Sequence, residues 1–285
     1  MILLCTLLLL FILGCYVFAV VTYLLYWYEH QSRIESLFDS RENALRAVHR
    51  GVFSAFKAQI FVFSMYFGGT IVQRWKNRNS LPLAATEYPI IMVHGLFHNC
   101  SAWFLYRRWF KKYGLTNCAT FTYSSRKAFD VVSAELTSYL ETVLEQEPAI
   151  RPVLIGHSLG GLLLRDWLAR SEYADRVAGV ITLGAPMQGS KLATFAATSL
   201  GRQLDFKGQV IQQIEKQEQA HAAHNVPCYM FYSPVDNMVL PQNSVATPLK
   251  NWRAIKTRPV SHLAMLFDKT IANQVAETTK TIFKK

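Results

Sequence analysis

Val153-Leu154-Ile155-Gly156-His157-Ser158-Leu159-Gly160-Gly161-Leu162-Leu163-Leu164-Arg165 sets a short, β-branched apolar run against a serine-bearing turn and continues into helix-forming leucines. By period, Val153 to Ile155 is a buried strand and Leu162 to Arg170 a helix. The order is strand, sharp turn, helix, with Ser158 at the apex. A turn of this kind holds its serine in a strained backbone conformation and lifts the hydroxyl above the sheet. Gly156 and Gly160 flank the serine because a Cβ there would collide where strand and helix come closest. Chance alone supplies Gly-x-Ser-x-Gly in roughly one chain of this length in ten, with Gly and Ser each near ~7% of residues. The flanking strand and helix carry the information.

Upstream, Tyr88-Pro89-Ile90-Ile91-Met92-Val93 is a second buried strand, and it delivers His94-Gly95-Leu96-Phe97-His98 to a loop. Gly95 lets the backbone turn so that a following N–H can face a reacting carbonyl oxygen. This nominates the Leu96 amide as one half of an oxyanion hole, with the amide of Leu159 as the other. His94 is read as a brace for the loop. Phe97 and His98 are candidates for substrate contact, as is Met187 further on. Between these strands lie an amphipathic helix over Ser101 to Tyr113 and a strand over Asn117 to Tyr123. A longer helix comes next, capped by Asp130, with an apolar stripe of Val132, Leu136, Tyr139, Leu140, Val143 and Leu144. Pro148 ends it.

Downstream of the serine, Arg176 to Leu183 is a strand that ends in the turn-rich Gly184-Ala185-Pro186-Met187-Gln188-Gly189-Ser190. Residues 190–224 read as two short helices, which form either a small lid or ordinary crossovers. Val226 to Tyr232 is a late strand leading to Asp236, and Asn251 to Thr257 is the last strand, leading to His262. From His262 a closing helix is expected to run to about Lys280.

A carboxylate on the loop after a late strand is well placed to orient an imidazole. Ser158 is then the nucleophile, His262 the general base that takes and returns its proton, and Asp236 the group that fixes the imidazole tautomer. Other acids fit less well. Asp130 and Asp166 precede the position where the acid should fall, Asp205 lies in the possible lid, and Asp268 comes after the histidine. His221 and His224 are spaced His-x-x-His without the further ligands a zinc site needs, so no metal or other cofactor is expected.

The chain has 285 residues, 51% of them apolar and 17% charged, and a net charge of +11. Its basic residues are scattered, with no concentrated stripe or reading motif for nucleic acid, and fit a surface near anionic lipid headgroups. Five cysteines form neither a zinc pattern nor a disulfide framework. Residues 2–28 carry no charged side chain. As a helix they would measure about 40 Å, enough to cross a bilayer. No basic segment precedes this run and no small-x-small cleavage site ends it, which favours an uncleaved anchor over a signal peptide. Tyr23, Tyr26, Trp27 and Tyr28 are expected at the interface as an aromatic belt. Arg33, Arg41, Arg46 and Arg50 favour a cytoplasmic location for the chain downstream of the anchor. A second apolar stretch, residues 52–72, carries Phe53, Phe56, Ile60, Phe63 and Phe67 at helical spacing. It is read as an amphipathic helix on the membrane or on the domain. A second span, which would place the domain outside, also fits.

At His94-Gly95, Gly156-His157-Ser158-Leu159-Gly160-Gly161, Thr182-Leu183-Gly184-Ala185-Pro186 and the Asp236 and His262 loops, the chain resembles the bacterial lipase and esterase branch of the α/β-hydrolase superfamily. The resemblance covers about residues 88 to 270, and the Thr-Leu-Gly-Ala-Pro stretch makes it triacylglycerol-lipase-like. It implies an α/β fold: a mostly parallel sheet of about six strands flanked by helices. The chain order Ser158, Asp236, His262 is the order of that architecture. Where the family commonly has Pro-His-x-Gly, this chain has Met187 and Gln188, and no acidic cluster argues for a structural calcium. The expected organisation is an anchor over 1–28, a membrane-proximal segment and linker over 29–86, and a catalytic domain over 87–285. The expected function is a membrane-anchored serine hydrolase, at a bacterial inner membrane, that cleaves lipid-like or small acyl esters through an acyl-enzyme. An acyltransferase with the same triad and a silent scaffold that keeps the fold are the alternatives.

Overall fold

The structure is a computed structural model that describes residues 2–75, 88–220, 225–245 and 251–284, with the backbone alone for 67–75. His221, His224 and most of the expected linker therefore lie outside the described residues. Six strands form one parallel sheet: β1 Ile90–Val93, β2 Cys118–Phe121, β3 Val153–His157, β4 Gly179–Leu183, β5 Cys228–Tyr232 and β6 Trp252–Lys256, in the order β2-β1-β3-β4-β5-β6. The central strands are buried along their whole length because both faces are covered, so they read as continuous apolar runs and not as alternating ones. Alternate residues still serve different faces. Ile90 and Met92 pack with α4 (Phe104–Phe110) and α9 (Lys269–Phe283), whereas Ile91 and Val93 pack with α5 (Phe129–Gln146), α6 (Leu159–Arg170) and α8 (Gln209–Ala220).

Upstream of the sheet are α1 (Ile2–His30), α2 (Ile34–Phe38) and α3 (Arg41–Trp75), and α7 (Ser199–Arg202) lies between β4 and α8. α1 is apolar and long enough to cross a membrane, and little of it is buried. The stretch expected over residues 52–72 is part of the longer α3, and α3 lies on the domain. α1 runs antiparallel beside it: Phe11 meets Phe63, Tyr16 meets Phe56, and Trp27 meets Arg41. The expected aromatic belt is only partly at the surface. Tyr23 and Tyr26 are 2% and 1% exposed, in a core shared with Val235 and Leu240, while Tyr28 is exposed. Two helix starts also differ from expectation. α5 has Ala128 at its N-cap with Asp130 in the first turn, and the last helix begins after a break, capped by Asp268 and not by the His262 turn. The cause is tertiary for the first and local for the second: Phe129 N–H is satisfied by the distant Gln203 Oε1, and Asp268 Oδ1 accepts from Thr270 and Ile271. All five cysteines are free.

Candidate active site

The loops after β1, β3, β4, β5 and β6 meet at one edge of the sheet. β1 pairs with β2 on one side and β3 on the other, so the strand order reverses between β1 and β3. In open parallel sheets the carboxyl ends of strands at such a switch point are where ligands bind. Ser158 stands there, at φ 53 and ψ −125, an unusual conformation for a residue with a Cβ. Ser158 N–H donates to Leu183 O, and the helix begins at the next residue, so little freedom is left in the turn. Gly160 is required by contact: a Cβ there would lie 2.3 Å from Val93 O. α6 therefore crosses directly over β1, and every residue from Leu159 to Ala169 is buried. Its polar members are paired accordingly. Arg165 grips Glu218 through two bonds of 2.7 and 2.6 Å and also donates to Met187 O. Asp166 accepts from Ser133 Oγ and lies 3.1 Å from Arg170 Nε, which gives it a packing role.

The structure brings Asp236 and His262 together at this edge. Asp236 Oδ2 lies 2.8 Å from His262 Nδ1, and both residues are buried. Asp236 Oδ1 accepts from the N–H groups of Met238 and Val239 at 2.9 and 3.0 Å, so the loop backbone itself orients the carboxylate. Gly184 lies against the pair. Its φ of +55 suits glycine, and an added Cβ would come within 3.1 Å of both Asp236 Oδ2 and His262 Nδ1. The His157 ring lies 4.8 Å from the His262 ring, and His157 is the residue before Ser158. Among the described residues neither Ser158 Oγ nor His262 Nε2 makes a hydrogen bond; in unliganded sites such bonds are commonly long and tighten with substrate.

The β1 loop closes over the serine: a Cβ on Gly95 would sit 3.0 Å from Ser158 Cβ. The amides of Leu96 and Leu159 have no acceptor among the described residues. For Leu159 this is a consequence of its place in the first turn of α6. His94 is the expected brace. It stacks on Tyr123 at 4.3 Å, reaches Gly95 O through Nδ1 and accepts the Tyr123 N–H at Nε2. Burial lowers it to about 3, and lowers His98 to about 4 and His157 well below the ordinary value, so this end of the sheet is lined by neutral imidazoles.

The three residues expected to meet substrate separate. Phe97 is 50% exposed at φ +55. His98 is enclosed, with Nδ1 accepting from Asn99 N–H and Nε2 unpartnered. Met187 is fully buried in the core with α6 and α8. The candidate lid also divides. α8 is a crossover helix fastened to α6 by the Arg165–Glu218 pair, while the shorter segment around α7 lies on the loop after β1. Gly201 there faces Leu96, and Phe195 nearby is 78% exposed. Sequence reasoning missed Asn237, which accepts from His262 N–H and donates to Thr22, and Ser233, which ties Val235 to Val260. For Thr22 a signal existed. Thr22, Tyr23, Tyr26 and His30 form a polar stripe on a largely apolar helix. No group of side chains that could hold a metal occurs among the described residues.

Residues 90–276 match the model of a family described as Alpha/beta hydrolase family. A triacylglycerol lipase of Pseudarthrobacter phenanthrenivorans is 34% identical over 122 residues, 39% of this chain and 37% of that protein. This chain thus spans little more than a third of that relative's length. Among solved structures, a Bacillus licheniformis lipase in its mature form aligns with TM-score 0.52 at 19% identity, over 71% of this chain and 93% of that one. A Paleococcus ferrophilus monoacylglycerol lipase aligns with TM-score 0.51 at 13% identity, over 68% and 96%. At these identities the two structures establish a shared fold.

Proposed function

This chain belongs to the alpha/beta hydrolase family, and from that premise we propose that it is a serine carboxylic ester hydrolase, held at a membrane by α1 and acting on lipid-like acyl esters. The observation that carries the chemistry is the buried Asp236–His262 pair, 2.8 Å apart, at the sheet edge that bears the strained Ser158. Ser158 Oγ attacks the ester carbonyl carbon as His262 Nε2 takes its proton. Asp236 keeps the Nδ1 proton on its own side and stabilises the imidazolium. The carbonyl oxygen, now anionic, is held by the amides of Leu96 and Leu159, where each such donor is worth about 10²–10³ in kcat. His262 returns the proton to the departing alcohol, and water repeats the sequence on the acyl-enzyme. No cofactor is required. The preference for lipid-like esters is supported by the apolar surface of α1, by the exposed Phe97 and Phe195, and by the lipase names of the relatives.

The test is labelling of the full chain in detergent with a fluorophosphonate, together with hydrolysis of p-nitrophenyl esters of rising chain length. The wild type should label and should prefer longer chains in micelles, and Ser158→Ala should do neither. Folded wild-type protein that takes up no label would overturn the assignment.

A further inference from the structure

α1 does more than an anchor requires. Its exposed side from Ile2 to Leu25 is apolar apart from Thr6, but its last turns aim a polar stripe at the catalytic domain. Tyr23 donates to Val235 O at 2.8 Å and Tyr26 to Pro234 O at 2.6 Å. His30 Nε2 accepts from Gln242 N–H at 3.0 Å. Thr22 Oγ1 accepts from Asn237 Nδ2 at 2.8 Å, and Asn237 Oδ1 accepts the backbone N–H of His262 at 3.1 Å. α3 reaches the neighbouring loop: Ser54 Oγ accepts from Ser261 N–H at 2.7 Å and donates to Ser261 Oγ. Every partner is a residue beside Asp236 or His262, or a few positions on in the same loop. The grip is tightly fitted, since a Cβ on Gly51 of α3 would lie 2.4 Å from the buried Tyr23 ring.

We infer that the paired helices α1 and α3 set the geometry of the acid–base pair, with Thr22 and Ser54 as positioning residues that act through Asn237 and Ser261. The inference rests on the reading of Asp236 and His262 as orienting acid and base. Neither loop belongs to a regular element where it carries its functional side chain, so its position is set by whatever its backbone bonds to. Ser233 links the two loops to each other, and the helix pair holds them both from outside. Acid–base catalysis depends steeply on such placement: a misplacement of about 1 Å from a remote change can cost ~10²-fold in rate. A simple tether would place no hydrogen bonds on these loops.

The experiment uses the full chain in detergent and compares wild type with Thr22→Val, Ser54→Ala, the double variant and Thr22→Ser. Fluorophosphonate labelling to completion counts competent sites, so kcat is expressed per labelled serine and is unaffected by any misfolded fraction. The double variant should lose about tenfold or more in kcat with KM unchanged, a loss of positioning without loss of binding. Thr22→Ser keeps the hydroxyl and should restore the wild-type rate where Thr22→Val lowers it. A wild-type kcat per labelled serine in the double variant would overturn the inference and leave the proposed hydrolase standing. A wild-type chain that neither labels nor hydrolyses esters would overturn both.

Discussion

Asp236 gives its two carboxylate oxygens different tasks. Oδ1 is held by two backbone N–H groups, which leaves Oδ2 directed at His262 Nδ1. Asp236→Asn would keep the first set of bonds if its carbonyl takes the Oδ1 position, and would then turn an NH₂ group toward Nδ1. The imidazole would have to adopt the wrong tautomer. The expected result, on the proposed reading, is a fall in kcat of about 10⁴ with KM little altered, as for the equivalent change in established serine triads. Ester kinetics on the purified variant measure it, and a loss below tenfold would remove Asp236 from the orienting role. Much at this scale was legible in the sequence. Ser158, Asp236 and His262 each lie on a loop that follows a strand, and strand ends are what a parallel sheet brings together. The burial of Met187 was not legible, because a turn residue after β4 looks the same whether it is exposed or enclosed by α6 and α8.

Helix α6 is the element on which the elbow depends, and it is buried all round. A polar residue in such a helix needs a full set of partners, and Arg165 has them in Glu218 of α8 and the Met187 carbonyl. Arg165→Met would strand the Glu218 carboxylate, whose side chain is 7% exposed, and should cost about 3–5 kcal/mol in unfolding free energy. Arg165→Met combined with Glu218→Leu should recover most of that loss, since a packed apolar pair of similar volume often matches a buried ion pair. Denaturant unfolding of the two variants separates the outcomes. Equal stability of the single and double variants would show that the charge pair is not the source. The pairing could not be read in advance because the two residues are far apart in the chain. What periodicity did show was the apolar face of α8, with Val210, Ile211 and Ile214 buried as the spacing implies.

For the whole molecule, burial of His94, His98 and His157 at one end of the sheet makes stability depend on pH. Their folded values are lowered, to about 3 and about 4 for the first two, from an ordinary 6.5. The unfolded chain therefore binds protons on these rings over a range where the folded chain does not. Stability from this source is complete above about pH 6.5 and falls as the pH drops, by about 1.4 kcal/mol per unit for each ring held neutral. Thermal unfolding between pH 7.5 and 5 should show Tm falling steadily toward the acid side. A flat profile would mean that the rings are not kept neutral by the fold.

The sequence by itself determined the parallel α/β architecture, the elbow at Ser158 and the identity of the acid and base candidates. Each of these rests on local signals: an apolar run of strand length, a glycine at a close crossing, a polar side chain just beyond a strand. It also determined that α1 is apolar enough for a membrane. Only the tertiary structure decided that the last turns of α1 are fastened to the loops of Asp236 and His262, through bonds such as Tyr23 to Val235 O. The physical reason is reach. Hydrogen bonds between residues about two hundred positions apart leave no periodic trace in either segment, and a tyrosine at the end of an apolar helix serves a lipid interface and a protein carbonyl equally well.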